Sequence, residues 1–389
     1  MATSGPLAGV TVLDLSSVGP ASRCTRLLAD YGALVVKVGP VPSADATPIE
    51  PAFFAYSGHR GMQRVLVDLK DDDGREAFLA LGASADVVVE SFRPGVVERL
   101  GIGYAAVSAR NPRIVYCSTS GYGQDGPHAN WAGHDIDYLA VGGFLSMSTP
   151  GPNGAPPLPG ATIADAAAGG MHAALAITAA LAGRATSGKG TYLDVSVADG
   201  VLWLMSLPVD EHLAVGSAPA PGHDILSGRY ACYGTYATAD DKWVAVGAIE
   251  SKFFANLCRA LGCGDLADQQ LNDDAQPAIR AAFAKAFATR SRREWIEVLG
   301  DGDTCVAPVL GVDEVCDDPQ FVARGAVVSA THPRHGTFEQ LAPLLAGMDR
   351  PSGPVELPDT TQSDAPQLLK EAGVDIETIA TWMARRVVA

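Results

Sequence analysis

The sequence predicts an α/β protein: a large Rossmann-like domain with a mostly parallel sheet, joined to a smaller α+β domain. Three observations carry this prediction. Short apolar runs alternate with helical patterns through the first third of the chain, which is the signature of βαβ units. Composition shifts at 215–228 (VGSAPAPGHDILSG), which reads as a linker. Beyond it, a hairpin pattern leads into a series of helices. The 389 residues correspond to two or three domains of ordinary size and can bury about three quarters of their unfolded surface.

In chain order, 10–15 (VTVLDL) reads as a buried strand and Ser16 to Pro20 as a loop. Residues 21–31 form a helix closed by Gly32, and 33–38 (ALVVKV) a second strand. Strands follow at 65–69, 86–90 and 113–118, with helical patterns at 72–84 and 104–110 between them. A helix after Asp165 runs to about residue 182, and a strand occupies 191–196. The segments 230–238 and 242–247 pair as a hairpin across Asp240 and Asp241, and helices follow near 251–261, 275–289 and 292–299. The stretch 331–363, rich in Pro, Gly and polar residues, is expected to wrap over a surface, and a helix pair closes the chain. These readings give a large domain over 1–199 completed by 330–389, a linker at 200–225, a small domain at 226–325 and a return linker at 326–360.

Composition removes several function classes. Apolar residues make up 47% and charged residues 19%, as in soluble globular proteins, and 44 acidic against 28 basic residues leave a net charge of −16. That charge opposes nucleic-acid or anionic-membrane binding, which needs a positive field, so neither partner is expected. It is unevenly spread: residues 1–64 carry five basic and four acidic side chains, a net of +1, leaving −17 for the rest. A small anionic ligand therefore fits the first domain better than the second. The seven cysteines are odd in number, with no zinc spacing, and suit reduced thiols in a cytosolic protein. MATSGPLAG has neither a basic nor an apolar region of a signal peptide, and a cytoplasmic location is expected. Residues 166–183 approach membrane-span length, but their Ala and Gly contribute little transfer free energy, so a core helix is expected.

Two phosphate motifs fail. GRATSGKG at 183–190 has Gly190 where a P-loop needs Ser or Thr, and it joins a helix to a strand rather than the reverse. The first strand–helix junction, LSSVGP, lacks G-x-G-x-x-G, and the second strand ends in Lys37 rather than an acidic residue for a ribose hydroxyl. NAD is not expected.

Three segments offer acid–base chemistry. The glycine-rich loop 121–138 (GYGQDGPHANWAGHDIDY) presents His134, the segment 161–170 (ATIADAAAGG) presents Asp165, and 245–254 (AVGAIESKFF) presents Glu250. Each has a plain alternative: a loop histidine, an N-cap and a first-turn carboxylate. Together they supply a base, a second base and a carboxylate to orient the histidine. Spacing alone does not bring them together.

The sequence resembles the family III CoA-transferase superfamily, and within it the α-methylacyl-CoA racemase branch. The likeness spans nearly the whole chain: LAGVTVLDLS at 7–16, ESFRPGVVERLGIGY at 90–104, STSGYGQDGP at 118–127, AGHDIDY at 132–138 and VAVGAIE at 244–250. The resemblance implies an acyl-CoA thioester substrate and 1,1-proton transfer through an enolate. His134 and Asp165 would flank the α-carbon, with Glu250 assisting the histidine from a partner subunit. It further implies Lys37, Arg60, Arg64 and Arg93 around the CoA phosphates, Tyr138 near the thioester, no metal or redox cofactor, and an interlocked homodimer. Three positions depart from the pattern: Ala161 replaces a frequent Asn, Asp137 replaces an Asn, and Val38-Gly39 precede Pro40 in place of an acidic residue. Two rival readings remain open. One is the transferase branch, where the aspartate matching Asp165 is an acyl-accepting nucleophile; the other is a CoA-binding protein without catalysis.

Overall fold

In a computed structural model, residues 5–42, 51–349, 351 and 353–389 are described. Met1–Ser4, part of the N-terminal segment read above, lie outside them, as do Asp45 and Glu50 of the charge count and Arg350 and Ser352 of the expected return linker.

The chain divides into two compact units. The first comprises residues 1–143, 159–206 and 319–389. Its centre is a six-stranded sheet of β1 (Thr11–Asp14), β2 (Leu34–Gly39), β3 (Met62–Leu66), β4 (Val87–Glu90), β5 (Val115–Ser120) and β6 (Thr191–Ser196). The strand order is β3-β2-β1-β4-β5-β6 and every neighbouring pair is parallel. This is the doubly wound dinucleotide-fold order, with helices on both faces. The helices that cross between strands are α1 (Gly19–Asp30), α2 (Asp72–Ser84) and α3 (Tyr104–Arg110). After β5 come α4 (Asp135–Val141) and α5 (His172–Ser187), and α6 (Val197–Leu204) follows β6.

Strands β1, β2 and β4 read as largely apolar runs because both of their faces are covered. Successive residues then serve opposite cores. Leu13, Val36, Val88 and Tyr116 pack with Phe78 of α2 and with Ile379 and Trp382 near the C-terminus. Val12, Val35, Val87, Val89 and Val115 pack on the other side with Cys24 and Leu28 of α1 and Ala173 and Ile177 of α5.

The second unit holds residues 144–158 and 207–318. Its antiparallel sheet consists of β7 (Tyr233–Ala237), β8 (Trp243–Gly247) and β9 (Val306–Pro308). Helices α7 (Ser251–Ala260), α8 (Gln276–Phe287) and α9 (Arg292–Leu299) supply Phe254, Leu257, Phe283, Phe287 and Trp295 to its core. Between β7 and β8, Asp241 takes the left-handed conformation that the tight turn requires (φ 56°).

Three expectations change. The expected linker 200–225 contains the end of α6 and a further helix, Ser206–Val215. The expected return linker forms a sheet: β10 (Val327–His332) pairs antiparallel with β11 (Gly336–Leu341) and parallel with β12 (Val355–Glu356). Gly336, at φ 72°, makes the turn, and β10 alternates half-buried with buried residues, a period-two pattern hidden by the polar composition. Finally, the helix expected after Asp165 includes it, starting as a π-helix, Ala164–Met171, before continuing as α5. Helices α10 (Ala365–Glu371) and α11 (Ile376–Ala384) end the first unit.

The continuous helix Ala164–Ser187 is long and apolar enough to cross a membrane by length and composition, and a third of its most apolar window is buried. Its buried face, including Ala173 and Ile177, belongs to the core; Met171 and Leu175 are exposed. At its end Gly188 takes the left-handed C-cap conformation (φ 69°). The GRATSGKG segment is therefore a helix-to-strand turn. All seven cysteines are free and five are buried.

Candidate active site

In a doubly wound sheet, ligands meet the carboxyl ends of the strands where the order reverses, here between β1 and β4. The loop after β1 is built on Asp14. This fully buried carboxylate accepts from the Ser16 N–H (2.8 Å), the Ser16 hydroxyl (2.6 Å), the Thr25 hydroxyl and the Lys37 ammonium (2.7 Å). Lys37 also donates to the Ser16 carbonyl at 2.5 Å. Its ammonium is thus enclosed by the loop it braces, as a buried cation must be. Arg60 is likewise buried, paired with Asp30 (3.1 Å) and donating to Gln340 Oε1 (3.2 Å) and the Leu341 carbonyl (3.1 Å). The resemblance implies both cations at the CoA phosphates; the structure gives them these protein partners.

Arg64 and Arg93 differ from that pair. Arg64 lies on β3 and is half-buried, with its backbone tied to Asp364 (2.9 and 2.7 Å) and its guanidinium against Gly39, where an added Cβ would stand 3.3 Å from Nη2. Past the ends of β2 and β3 lies a groove of about 540 Å³ lined by Val41, Pro42, Leu66, Thr361 and Arg386. Arg93 is exposed on the loop after β4. Three residues earlier, Glu90 ends β4 buried and accepts the Phe92 N–H at 2.7 Å. Burial raises its pKa to about 7, with Glu98 and Asp194 adding to the effect. Sequence reading passed over Glu90, although a carboxylate closing the run VVV is itself a signal.

The segment after β5 carries His134 and Asp165. His134 is the N-cap of α4 in extended conformation, with its imidazole at the surface. Its N–H donates to Asp137 Oδ2 (2.9 Å), so Asp137, a departure from the family pattern, steadies the turn that presents the histidine. Tyr138 is buried and donates to the Gly133 carbonyl at 2.6 Å. Glycines make room for its ring: a Cβ on Gly121 would approach it to 2.3 Å and one on Gly133 to 2.8 Å. Burial foremost, and then Asp165, push the Tyr138 hydroxyl up to about 12. Tyr122 lies edge-on to Tyr138, His128 and Trp131, and the latter two stack at 3.6 Å. An aromatic wall thus runs from the exposed Trp131 toward Tyr138.

Asp165 sits in the first turn of the π-helix, not at an N-cap. π-Turns within helices occur frequently at functional sites. Asp135 Oδ1 accepts the Asp165 N–H at 2.8 Å, so the neighbour of His134 holds the backbone of Asp165. The carboxylate faces the β1–α1 loop, with Oδ2 4.0 Å from the Cβ position of Gly19. Small residues set this approach: a Cβ on Gly169 would lie 2.5 Å from Pro20 Cβ, and one on Gly200 2.2 Å from the Ala168 carbonyl oxygen. Burial first, then Asp135, raises the proton affinity of Asp165; Arg23 and His134 act against them. His134 and Asp165 therefore stand in one electrostatic neighbourhood. Arg23 is a second residue that sequence reading missed.

Glu250 belongs to the second unit. It is exposed at the N-cap of α7, and it raises the pKa of Cys305, whose largest cause is desolvation. Among the described residues no group of three or more potential metal ligands occurs.

Comparison with known proteins supplies the family. The sequence model of CoA-transferase family III matches residues 7–368. The human alpha-methylacyl-CoA racemase is 36% identical over 87% of this chain and 86% of its own length. The acetyl-CoA:oxalate CoA-transferase of Acetobacter aceti is 32% identical over 84% and 86%. A solved CAIB/BAIF family protein from Brucella suis superposes with a TM-score of 0.75 at 26% identity, covering 95% of this chain and all of that one. A parallel sheet with an imidazole and a carboxylate gathered beyond β5, matched along almost its whole length by these relatives, places the chain in CoA-transferase family III, as an enzyme of a group that includes both racemases and CoA transferases.

Proposed function

We propose that the protein is a racemase or epimerase of 2-methylacyl-CoA thioesters. The observation that carries this reading is the pairing of His134 with Asp165 through the Asp135–Asp165 hydrogen bond and their mutual electrostatic influence. Inversion at an α-carbon needs one group to remove the proton and another to return a proton to the opposite face of a planar enolate. An imidazole and a carboxylate whose proton affinity burial has raised suit that exchange near neutral pH. The higher identity of the racemase relative supports the same branch.

In this reading the acyl group lies along Tyr122, His128 and Trp131, and Tyr138 borders the thioester. Arg64 and Arg93 meet the CoA phosphates, for which guanidinium groups are well suited. Lys37 and Arg60 then act behind them by fixing the β1–α1 loop and the Asp30 cluster. No metal or redox cofactor enters the reaction. The exposed apolar side chains Met171, Leu175, Leu202 and Trp203 support a homodimer, in which Glu250 of a partner assists His134. Sedimentation as a monomer would contradict the dimer.

The half-buried carboxylate of Asp165 and the Acetobacter aceti relative support a second reading. There Asp165 attacks the thioester carbonyl, the C–S bond breaks, and CoA thiolate leaves an aspartyl anhydride. One experiment separates the two. A single epimer of a 2-methylacyl-CoA is incubated in deuterated water without an acceptor acid. Racemisation predicts α-deuterium incorporation and convergence of both epimers on one mixture. No exchange, together with CoA transfer to an added carboxylate, favours the transferase.

A further inference from the structure

Among the described residues, one permanent positive charge acts on Asp165. Asp135 and Tyr138 face it from α4, His134 from the residue before that helix, and Arg23 from α1. On the other elements packed against it, Asp199 of α6 faces Asp194, Arg184 of α5 pairs with Asp86, and His172 is exposed.

Arg23 is fixed from two sides. Its Nη2 donates to Thr162 Oγ1 at 2.5 Å, and its guanidinium carbon lies 5.8 Å from the centre of the Tyr56 ring. Tyr56 is held in turn, its hydroxyl accepting the Gly19 N–H at 2.9 Å. The backbone that delivers Tyr56 is unusual: Tyr56, Ser57, Gly58 and His59 all have left-handed φ, between 49° and 60°. Three of these carry side chains, for which such a conformation is strained, so the surrounding contacts must impose it. Arg23 joins no ion pair to a carboxylate among the described residues, and its charge acts on Asp165. Its backbone is seated against the π-helix, where a Cβ on Gly170 would come within 2.8 Å of Arg23 Cβ.

We propose that Arg23 is a positioning residue for Asp165: clamped between Tyr56 and Thr162, it holds a fixed positive charge beside the carboxylate and keeps it ready to accept the α-proton. The inference deepens the racemase reading and rests on it. A cation beside a carboxylate favours the ionised form, so its removal raises the pH at which Asp165 ionises.

The test uses the full chain with Arg23→Gln, Arg23→Lys and Thr162→Val, read in two ways. The Asp165 carboxyl is titrated by carbon-13 NMR, with Asp165→Asn to identify its signal. The pH profile of kcat/KM is measured by α-deuterium exchange of a 2-methylacyl-CoA. Arg23→Gln should move both the titration and the acid limb upward by about one pH unit. Arg23→Lys should stay near wild type, and Thr162→Val should show a smaller shift in the same direction. A slower Arg23→Gln enzyme with neither shift means that Arg23 only packs, and overturns the proposal, as does an unmoved titration. If the wild type exchanges no α-proton while the carboxyl titration still shifts, the racemase reading fails and the electrostatic contact survives.

Discussion

Asp135 acts on Asp165 in two ways that substitution can separate. Its carboxylate accepts the Asp165 N–H and its charge raises the Asp165 proton affinity. Asp135→Asn keeps an acceptor and removes the charge, so Asp165 should ionise at lower pH. The acid limb of the kcat/KM profile should then move downward, opposite to the effect of removing Arg23; an upward shift would refute this assignment. Glu90 makes a separate prediction. Its folded pKa, about 7 against an ordinary 4.5, means the fold favours the protonated form. That contribution is complete below pH 4.5 and is lost as pH rises toward 7, by roughly 2–3 kcal/mol. Glu90→Gln should flatten the fall in Tm across that interval; an unchanged slope would show that Glu90 does not titrate there. At this scale the sequence offered candidate side chains for the chemistry and hid which of them are enclosed. Lys37 and Arg60 look like free cations in one dimension, and only the fold reveals Asp14, Ser16, Asp30 and the β10–β11 hairpin around them.

The π-helix Ala164–Met171 shows how an element places a residue. Its glycines let α1 and α6 approach to backbone distance, which sets Asp165 against the β1–α1 loop. Gly169→Ala puts a methyl group 2.5 Å from Pro20 Cβ and should cost about 1–3 kcal/mol while lowering kcat. Gly183→Ala on the continuing helix meets nothing within 4 Å and should be neutral or stabilising by up to about 1 kcal/mol. Urea midpoints compare the two; equal losses would deny the tight packing its role. Continuous apolar runs made the central strands of the large sheet readable, because both of their faces are buried. The π-turn was not readable, since Ala and Gly fit either helical pitch. The β10–β11 hairpin escaped notice because its exposed positions are polar and its neighbourhood is rich in proline and glycine.

Across the whole molecule, the sheet order β3-β2-β1-β4-β5-β6 brings the loops after β1, β4 and β5 to one edge, where Arg23, Arg93, His134 and Asp165 belong. Alternating apolar and helical segments predicted this sheet, while the glycine-rich loop and the resemblance pointed to His134 and Asp165. Sequence separation concealed Arg23, which acts on Asp165 across more than 100 residues, and Tyr56, which packs on Arg23. In the proposed racemase, His134 and Asp165 serve opposite faces of one α-carbon. The most direct measurement follows α-proton loss in deuterated water from each pure epimer of a 2-methylacyl-CoA, with His134→Ala and Asp165→Asn. Each variant should exchange one epimer with retained configuration and leave the other untouched, in complementary fashion. Exchange of both epimers by either variant, or of the same epimer by both, would contradict the account.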